Sequence, residues 1–195
     1  YAEQEIFSLP ELVKIWSPDG ISKSPAIFDP LKLRAINAEY IRRLSPEEFQ
    51  KKAEPWIDKA VHTSIDKKLL CANLQPRCEV LEDIPPQLDF FDAVLPIDAE
   101  MYRNKKQKTT PESAKEALSA LLPVLEAQTD WSRDAIFEAC KQKAEAMEKK
   151  NGWLLFPLGI ALSGKARTPG GGTDLAAMMG KEETLRRLNA AIEAL

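Results

Sequence analysis

The 195-residue chain is predicted to be all-α, and three observations carry that expectation. No stretch alternates apolar and polar residues at the period of two that a half-buried strand needs. A capping residue followed at once by proline recurs as Asp29-Pro30, Ser45-Pro46 and Thr110-Pro111, the usual way to open a helix. Between these starts, apolar residues return every three or four positions.

In chain order, Ser8 opens a first helix, with Pro10 in its first turn and Glu11 placed to close a capping box. Asp19-Gly20 reads as a turn. Asp29-Pro30 opens a helix with Leu33, Ile36, Tyr40, Ile41 and Leu44 on one face. Ser45-Pro46 opens another, boxed by Glu48, and Pro55 is expected to end it and begin the next. Ile65 to Leu74 forms a short helix stopped by Pro76. Pro85, Pro86 and Pro96 leave room only for short helical pieces. Arg103 to Pro111 is polar and reads as a linker or exposed loop. A long helix follows from Thr110, which Pro123 is expected to kink or split. Ser132 caps a helix carrying Ile136, Cys140, Ala144 and Met147. "WLLFPLGIAL", Trp153 to Leu162, is ambiguous, because a short apolar run also suits a buried strand. The chain closes with a helix, a stop at Gly180 and a last helix.

Composition sets limits on function. The net charge of −3 disfavours a general nucleic-acid coat but allows a local basic face. Cys71, Cys78 and Cys140 are an odd number without a C-x-x-C pair, which fits a reducing, cytoplasmic setting. No apolar run is long enough to span a bilayer. There is no visible signal peptide and no initial Met, which leaves open that the chain is a piece of a longer protein.

Catalytic constellations are thin. His62 is the single histidine, without companions for a metal site or a nucleophile pair, and is expected at a helix end. Glu47-Glu48 and Glu182-Glu183 lie in first helical turns, where the helix dipole accounts for them. "GKARTPGGGTD", Gly164 to Asp174, lacks the G-K-[ST] ending of a phosphate loop and reads as a connection between helices. Its backbone amides could still meet a phosphate beside Lys165 and Arg167. "GISKS" is not the lysine loop of class I aminoacyl-tRNA synthetases: Gly20 and Ile21 stand where Lys and Met belong, and Pro25 follows directly.

Longer motifs are more specific. "FSLPELVKIW" followed by "ISKSPAIFDPLKLRAINAEYIRRLS" resembles the bacterial glutamyl-tRNA synthetase family after its catalytic half, through Ser22, Lys23, Ser24, Pro25, Ala26, Phe28, Asp29, Pro30, Lys32, Leu33, Asn37, Tyr40, Ile41 and Arg42. "PLGIALSGKARTPG" is similar to the family's P-L-R-x-A-L-T-G block, and "MMGKEETLRRL" to its L-L-G-K-E-x-x-L-R-R-L ending. The resemblance covers the chain in order.

The resemblance implies a stem-contact remnant at 1–45, a first anticodon-binding lobe at 46–98 and a second at 99–195. The proline-rich and basic stretches place the boundary near Asp98. It implies tRNA-Glu as partner, a cytoplasmic monomer without membrane or DNA partner, and no cofactor in this chain. ATP and magnesium would serve the catalytic half, which this chain lacks. The alternative is a helical protein–protein adaptor that kept the scaffold and lost RNA binding.

In "LQPRCEVLEDIP", Arg77 falls where discriminating members of the family carry the arginine that reads the third anticodon base. Taken alone it is a surface arginine. A guanidinium fork following proline at a helix start also suits O2 and N3 of cytosine. In the second lobe the family's arginine after P-L is Gly159, which has no donor to offer, and one residue is inserted around Gly171 and Gly172. Lys165, Arg167 and Thr168 are the remaining candidates for base contact there. Lys23, Arg42, Arg43, Lys67, Lys68, Arg103, Lys105 and Lys106 are candidates for the tRNA backbone, each alternatively a solvated charge.

Overall fold

The computed structural model describes residues 4–21, 25, 27–93 and 95–195. Among these there are nine α-helices and no strand, only an isolated bridge between Asn104 and Thr109. Ser22, Lys23, Ser24 and Ala26 lie outside the described residues, and the Lys23 phosphate contact with them.

α1 (Leu9–Ile15) and α2 (Pro30–Arg43) start as the sequence indicates. Ser8 and Glu11 form the reciprocal capping box, and Asp29 accepts from the amides of Leu31 and Lys32. α1 buries nothing. α2 buries Ala38 and Ile41, and Arg34 ties it to the following lobe through Glu79 and Asp83.

α3 (Pro46–Ile57) runs through Pro55 instead of ending there. Phe49, Ala53 and Ile57 stand four residues apart on one fully buried face. Burying such side chains is worth about 1.5–3 kcal/mol for each large one, which offsets the ~3 kcal/mol cost of an interior proline. The same balance keeps α5 (Pro111–Ala127) unsplit at Pro123, with Leu118, Leu121 and Leu125 buried along it.

α4 (Lys67–Leu74) begins at the Asp66 cap and passes into a 3-10 turn at Gln75–Arg77. Three more 3-10 turns, at Leu81–Asp83, Pro85–Gln87 and Ala99–Tyr102, are the short pieces that the prolines allow. Of the linker or exposed loop expected at Arg103 to Pro111, the structure shows an exposed tight turn between Asn104 and Thr109, after which Thr110 caps α5. Asn104 and Thr109 pair through their backbones, and the buried Thr109 hydroxyl donates to the Tyr102 carbonyl at 2.7 Å.

α6 (Arg133–Ala146), α7 (Asn151–Ser163), α8 (Gly172–Met179) and α9 (Lys181–Ala194) complete the chain. The ambiguous apolar run is α7, and its character follows from its place. It packs against α5, α6, α8 and α9, so it is apolar all round and helical periodicity cannot show. Buried residues from Ile41 to Ala191 form one contiguous core, continuous across the region around Asp98.

Candidate nucleic-acid interface

The site forms where the end of α7 and the start of α8 face the turn after α4. Gly164 ends α7 in the left-handed conformation at φ 65° and turns the chain out of the core. Lys165 to Gly171 then crosses the surface as an open segment. Its Thr168 hydroxyl donates to the Gly170 carbonyl at 2.6 Å. At Gly172, an added Cβ would lie 2.8 Å from the Leu155 carbonyl oxygen and 2.9 Å from the Gly159 amide. That close approach requires glycine and brings the loop against α7.

Two adjoining clefts result. The larger, of about 390 Å³, is lined by Arg77, Phe156, Gly159, Lys165, Arg167 and Thr168 among others. The second, of about 340 Å³, lies between Asn73, Arg77, Gln87, Arg167, Thr168 and Pro169. The four residues singled out for base contact, Arg77, Lys165, Arg167 and Thr168, therefore meet at one place, although about 90 positions separate the first from the others. Gly159 lies in the same wall, so the side chain missing there would have entered this cleft. No acidic residue is among the described residues lining either cleft, in a chain of net charge −3.

The basic residues are not equivalent. Arg77 and Arg167 are exposed and make no side-chain hydrogen bond or ion pair with any described residue. Lys165 is committed inward. Its ammonium pairs with Asp89, donates to the Pro86 carbonyl at 3.1 Å and sits 6.0 Å from the centre of the Phe90 ring. Half-buried Phe156 offers an aromatic surface in the larger cleft. The Gln87 amide donates to the Asp83 carbonyl at 2.7 Å, leaving its own oxygen as an acceptor in the smaller one. The Gly171 amide is taken by Asp174 at 2.8 Å, which removes it as a phosphate donor.

Sequence reasoning missed Asn73, Gln87 and Phe156. Asn73 lies one helical turn before Arg77, and Phe156 one turn before Gly159, so an i, i+3 or i+4 search from the chosen residues would have found both. Gln87 follows two prolines in a 3-10 turn and carries no such signal.

The residues proposed for backbone contact do not gather at the clefts. Lys67 is bonded to Asp58 at 2.6 Å and Glu54 at 3.4 Å, Arg103 to Glu100 at 2.7 Å, and Arg42 to Glu39. Arg43, Lys68, Lys105 and Lys106 are exposed. Lys68 lines a separate groove of about 370 Å³ between α3 and α4.

Other chemistry is structural. Exposed His62 follows α3, and its Nδ1 lies 2.6 Å from Asp92. Burial opposes charge on Asp92, but the amides of Thr63 and His62, the His62 ring and the Thr63 hydroxyl outweigh it. They hold the carboxyl well below the usual carboxylate range. Burial pushes the thiols of Cys71 and Cys78 up to about 11 and that of Cys140 to about 12. The described residues contain no His, Cys, Asp and Glu cluster fit for a metal ion, and no helix long and apolar enough to cross a membrane.

Comparison with known proteins bears on this geometry. The sequence profile of the anticodon binding domain family matches residues 39–192. A glutamate–tRNA ligase of Clostridium botulinum is 43% identical over 193 residues, which are 99% of this chain and 40% of that protein. One from Clostridium acetobutylicum is 43% identical over 192 residues, again 40% of its length. The solved structure of a glutamate tRNA ligase from Elizabethkingia meningosepticum superposes with a TM-score of 0.80 at 27% identity, covering 98% of this chain and 38% of that one. The chain thus spans about two-fifths of the length of the curated relatives it matches. None of these matches favours the adaptor reading.

Proposed function

This chain belongs to the anticodon binding domain family, and from that premise we propose that it is the anticodon-reading portion of a glutamate–tRNA ligase. The ligase as a whole would attach glutamate to tRNA-Glu with ATP and magnesium, bound in a catalytic half outside this sequence. The observation that carries the reading is the meeting of Arg77, Arg167, Thr168 and Phe156 around a cleft without acidic lining. Single-stranded bases are recognised by stacking on aromatic or guanidinium surfaces and by hydrogen bonds to their exposed edges, and the cleft offers both. Arg77 is the reader of the third base, Arg167 and Thr168 contact a neighbouring nucleotide, and Lys165 holds the wall. Arg43, Lys68, Lys105 and Lys106 follow the phosphates, with Arg42, Lys67 and Arg103 joining only by leaving their carboxylates. The division at Asp98, the cytoplasmic setting and the monomeric state belong to the same reading.

The test is binding of this chain to an anticodon stem-loop RNA of tRNA-Glu sequence, followed by fluorescence anisotropy over a salt series. Binding is expected to weaken linearly in log Kd against log salt, with about 0.7–0.9 in slope for each phosphate neutralised. A flat salt response, or equal affinity for an unrelated hairpin of the same length, refutes it.

A further inference from the structure

Arg187 is among the most deeply enclosed side chains in the molecule, with 2% of the residue exposed. Its Nε donates to Glu183 at 2.5 Å, the residue one turn earlier on α9. Its remaining donors leave the helix. Nη1 donates to the carbonyls of Phe90 and Leu162, each at 2.6 Å, and Nη2 to the carbonyl of Phe91 at 2.8 Å. A guanidinium is planar, and its donors have fixed directions. One side chain thus sets the spacing of two segments more than 70 positions apart in sequence.

Those two segments are the supports of the cleft. Leu162 lies in the last turn of α7, two residues before the Gly164 turn that launches Lys165, Arg167 and Thr168. Phe90 and Phe91 follow the turn that supplies Gln87 to the smaller cleft and Asp89 and Pro86 to Lys165. On the surface, Lys165 joins the two supports, and beneath it Arg187 joins them again inside the core. Phe90 is shared by both: its ring lies 6.0 Å from the Lys165 ammonium, and its carbonyl accepts from Arg187.

We propose that Arg187, held by Glu183, is a positioning residue for base reading: it fixes the gap between the Pro85–Phe91 turn and the end of α7, and so the placement of Arg167 and Thr168 opposite Arg77. The proposal rests on the cleft being the anticodon site. It goes beyond that reading by assigning specificity to a residue no nucleotide touches. A guanidinium that served only to fill the core would be replaceable by an apolar side chain of similar length, since buried ion pairs are often matched or bettered by such residues. Methionine cannot bond three carbonyls in fixed directions, so the two supports would relax independently.

The test uses this chain with Arg187→Met and Arg187→Lys, and Glu183→Gln as a milder variant should Arg187→Met fail to fold. Two measurements are made on folded protein. The first is the ratio of affinities for stem-loop RNAs carrying cytosine or guanine at the third anticodon position. Arg187→Met is expected to lower the parent's ratio on the order of tenfold, within the loss that misplacing a group by an ångström can cause. Lysine, which can still donate to carbonyls, is expected to restore part of it, and Glu183→Gln to lower the ratio less than Arg187→Met. A purely structural role would weaken both RNAs in parallel and leave the ratio intact. The second is amide hydrogen exchange on the protein alone, which needs no RNA. Residues 87–91 and 163–168 are expected to lose protection in Arg187→Met while α5 and α6 keep theirs. An unchanged ratio overturns the proposal. If the parent shows no preference or does not bind, the reading of the cleft fails first. Exchange that is unchanged, or raised uniformly, then overturns the positioning role as well.

Discussion

Replacing Arg77 with glutamine separates base reading from folding more cleanly than any other change at the cleft. Arg77 is exposed at the end of a 3-10 turn and bonds to no described carboxylate or carbonyl, so its loss should move stability by no more than about 0.5 kcal/mol. Its guanidinium projects over both clefts from a backbone fixed by Pro76. Glutamine keeps a donor but loses the charge and the planar fork. A good base contact is worth about 1–3 kcal/mol of discrimination, and about 1.4 kcal/mol is tenfold. The expected fall in preference for cytosine over guanine at the third anticodon position is therefore about 5- to 150-fold. Guanine also presents acceptors to an arginine, at O6 and N7, so part of the discrimination must come from the shape between Arg77 and Gln87. The assay is binding of the two stem-loops to this chain, repeated as charging efficiency in a ligase that contains it. If Arg77→Gln and the parent show the same ratio, Arg77 is not the reader. If both RNAs weaken equally and the salt slope drops by one phosphate, Arg77 is a backbone contact instead.

Gly159→Arg should restore a second fork to the cleft. A Cβ there meets only the Gly172 backbone, at 3.7 Å and beyond, so the substitution should leave thermal stability equal or higher while tightening the stem-loop Kd; unchanged affinity would mean that the nucleotide does not pass this wall. Acid should loosen the α9 anchor. Hydrogen bonds from Arg186 and Arg187 hold Glu183 at about 2 against an ordinary 4.5, so its contribution is complete above 4.5 and lost as pH falls toward 2. Glu183→Gln should flatten the thermal midpoint against pH in that window, and an identical acid limb would contradict this. The cysteines should stay unlabelled by a thiol-exchange reagent at pH 8 in the folded protein and react on unfolding, because burial keeps all three protonated.

Much of the fold was legible because its signals are local. Ser8, Asp29, Ser45, Thr110 and Ser132 cap helices in the structure as their sequence contexts indicate. What sequence misjudged was the helix end at Pro55, and of the two outcomes expected at Pro123 the split does not occur. Pro55, Pro123 and Pro157 all lie inside helices, held there by buried faces that no local rule contains. α7 was obscure for a related reason, since a helix packed against four others, with only apolar residues on the face that borders the cleft, has no polar face to reveal its period. At the site, Arg77 and the Lys165–Thr168 loop could be chosen, but nothing in the sequence says that they adjoin. Their meeting depends on Gly172 letting α8 approach α7 and on the bonds from Arg187 to Phe90, Phe91 and Leu162.

The same distinction decides which charges can serve a polyanion. Arg42 and Arg103 have their carboxylates three residues away, at Glu39 and Glu100, so their neutralisation can be read from helical spacing. Lys67 and Lys165 are neutralised by Asp58 and Asp89, which only the fold brings near. Net charge sums all of these and reports −3. A phosphate or a base edge meets something else: the cations without partners among the described residues, which at the clefts are Arg77 and Arg167. An acidic protein can thus present a basic reading surface. Asp89 is spent on Lys165 behind the cleft wall, Asp58 and Glu54 on Lys67 away from it, and no carboxylate is among the described residues that line the clefts. The charge relevant to RNA is the residue left after internal pairing, and it is set by tertiary structure rather than composition.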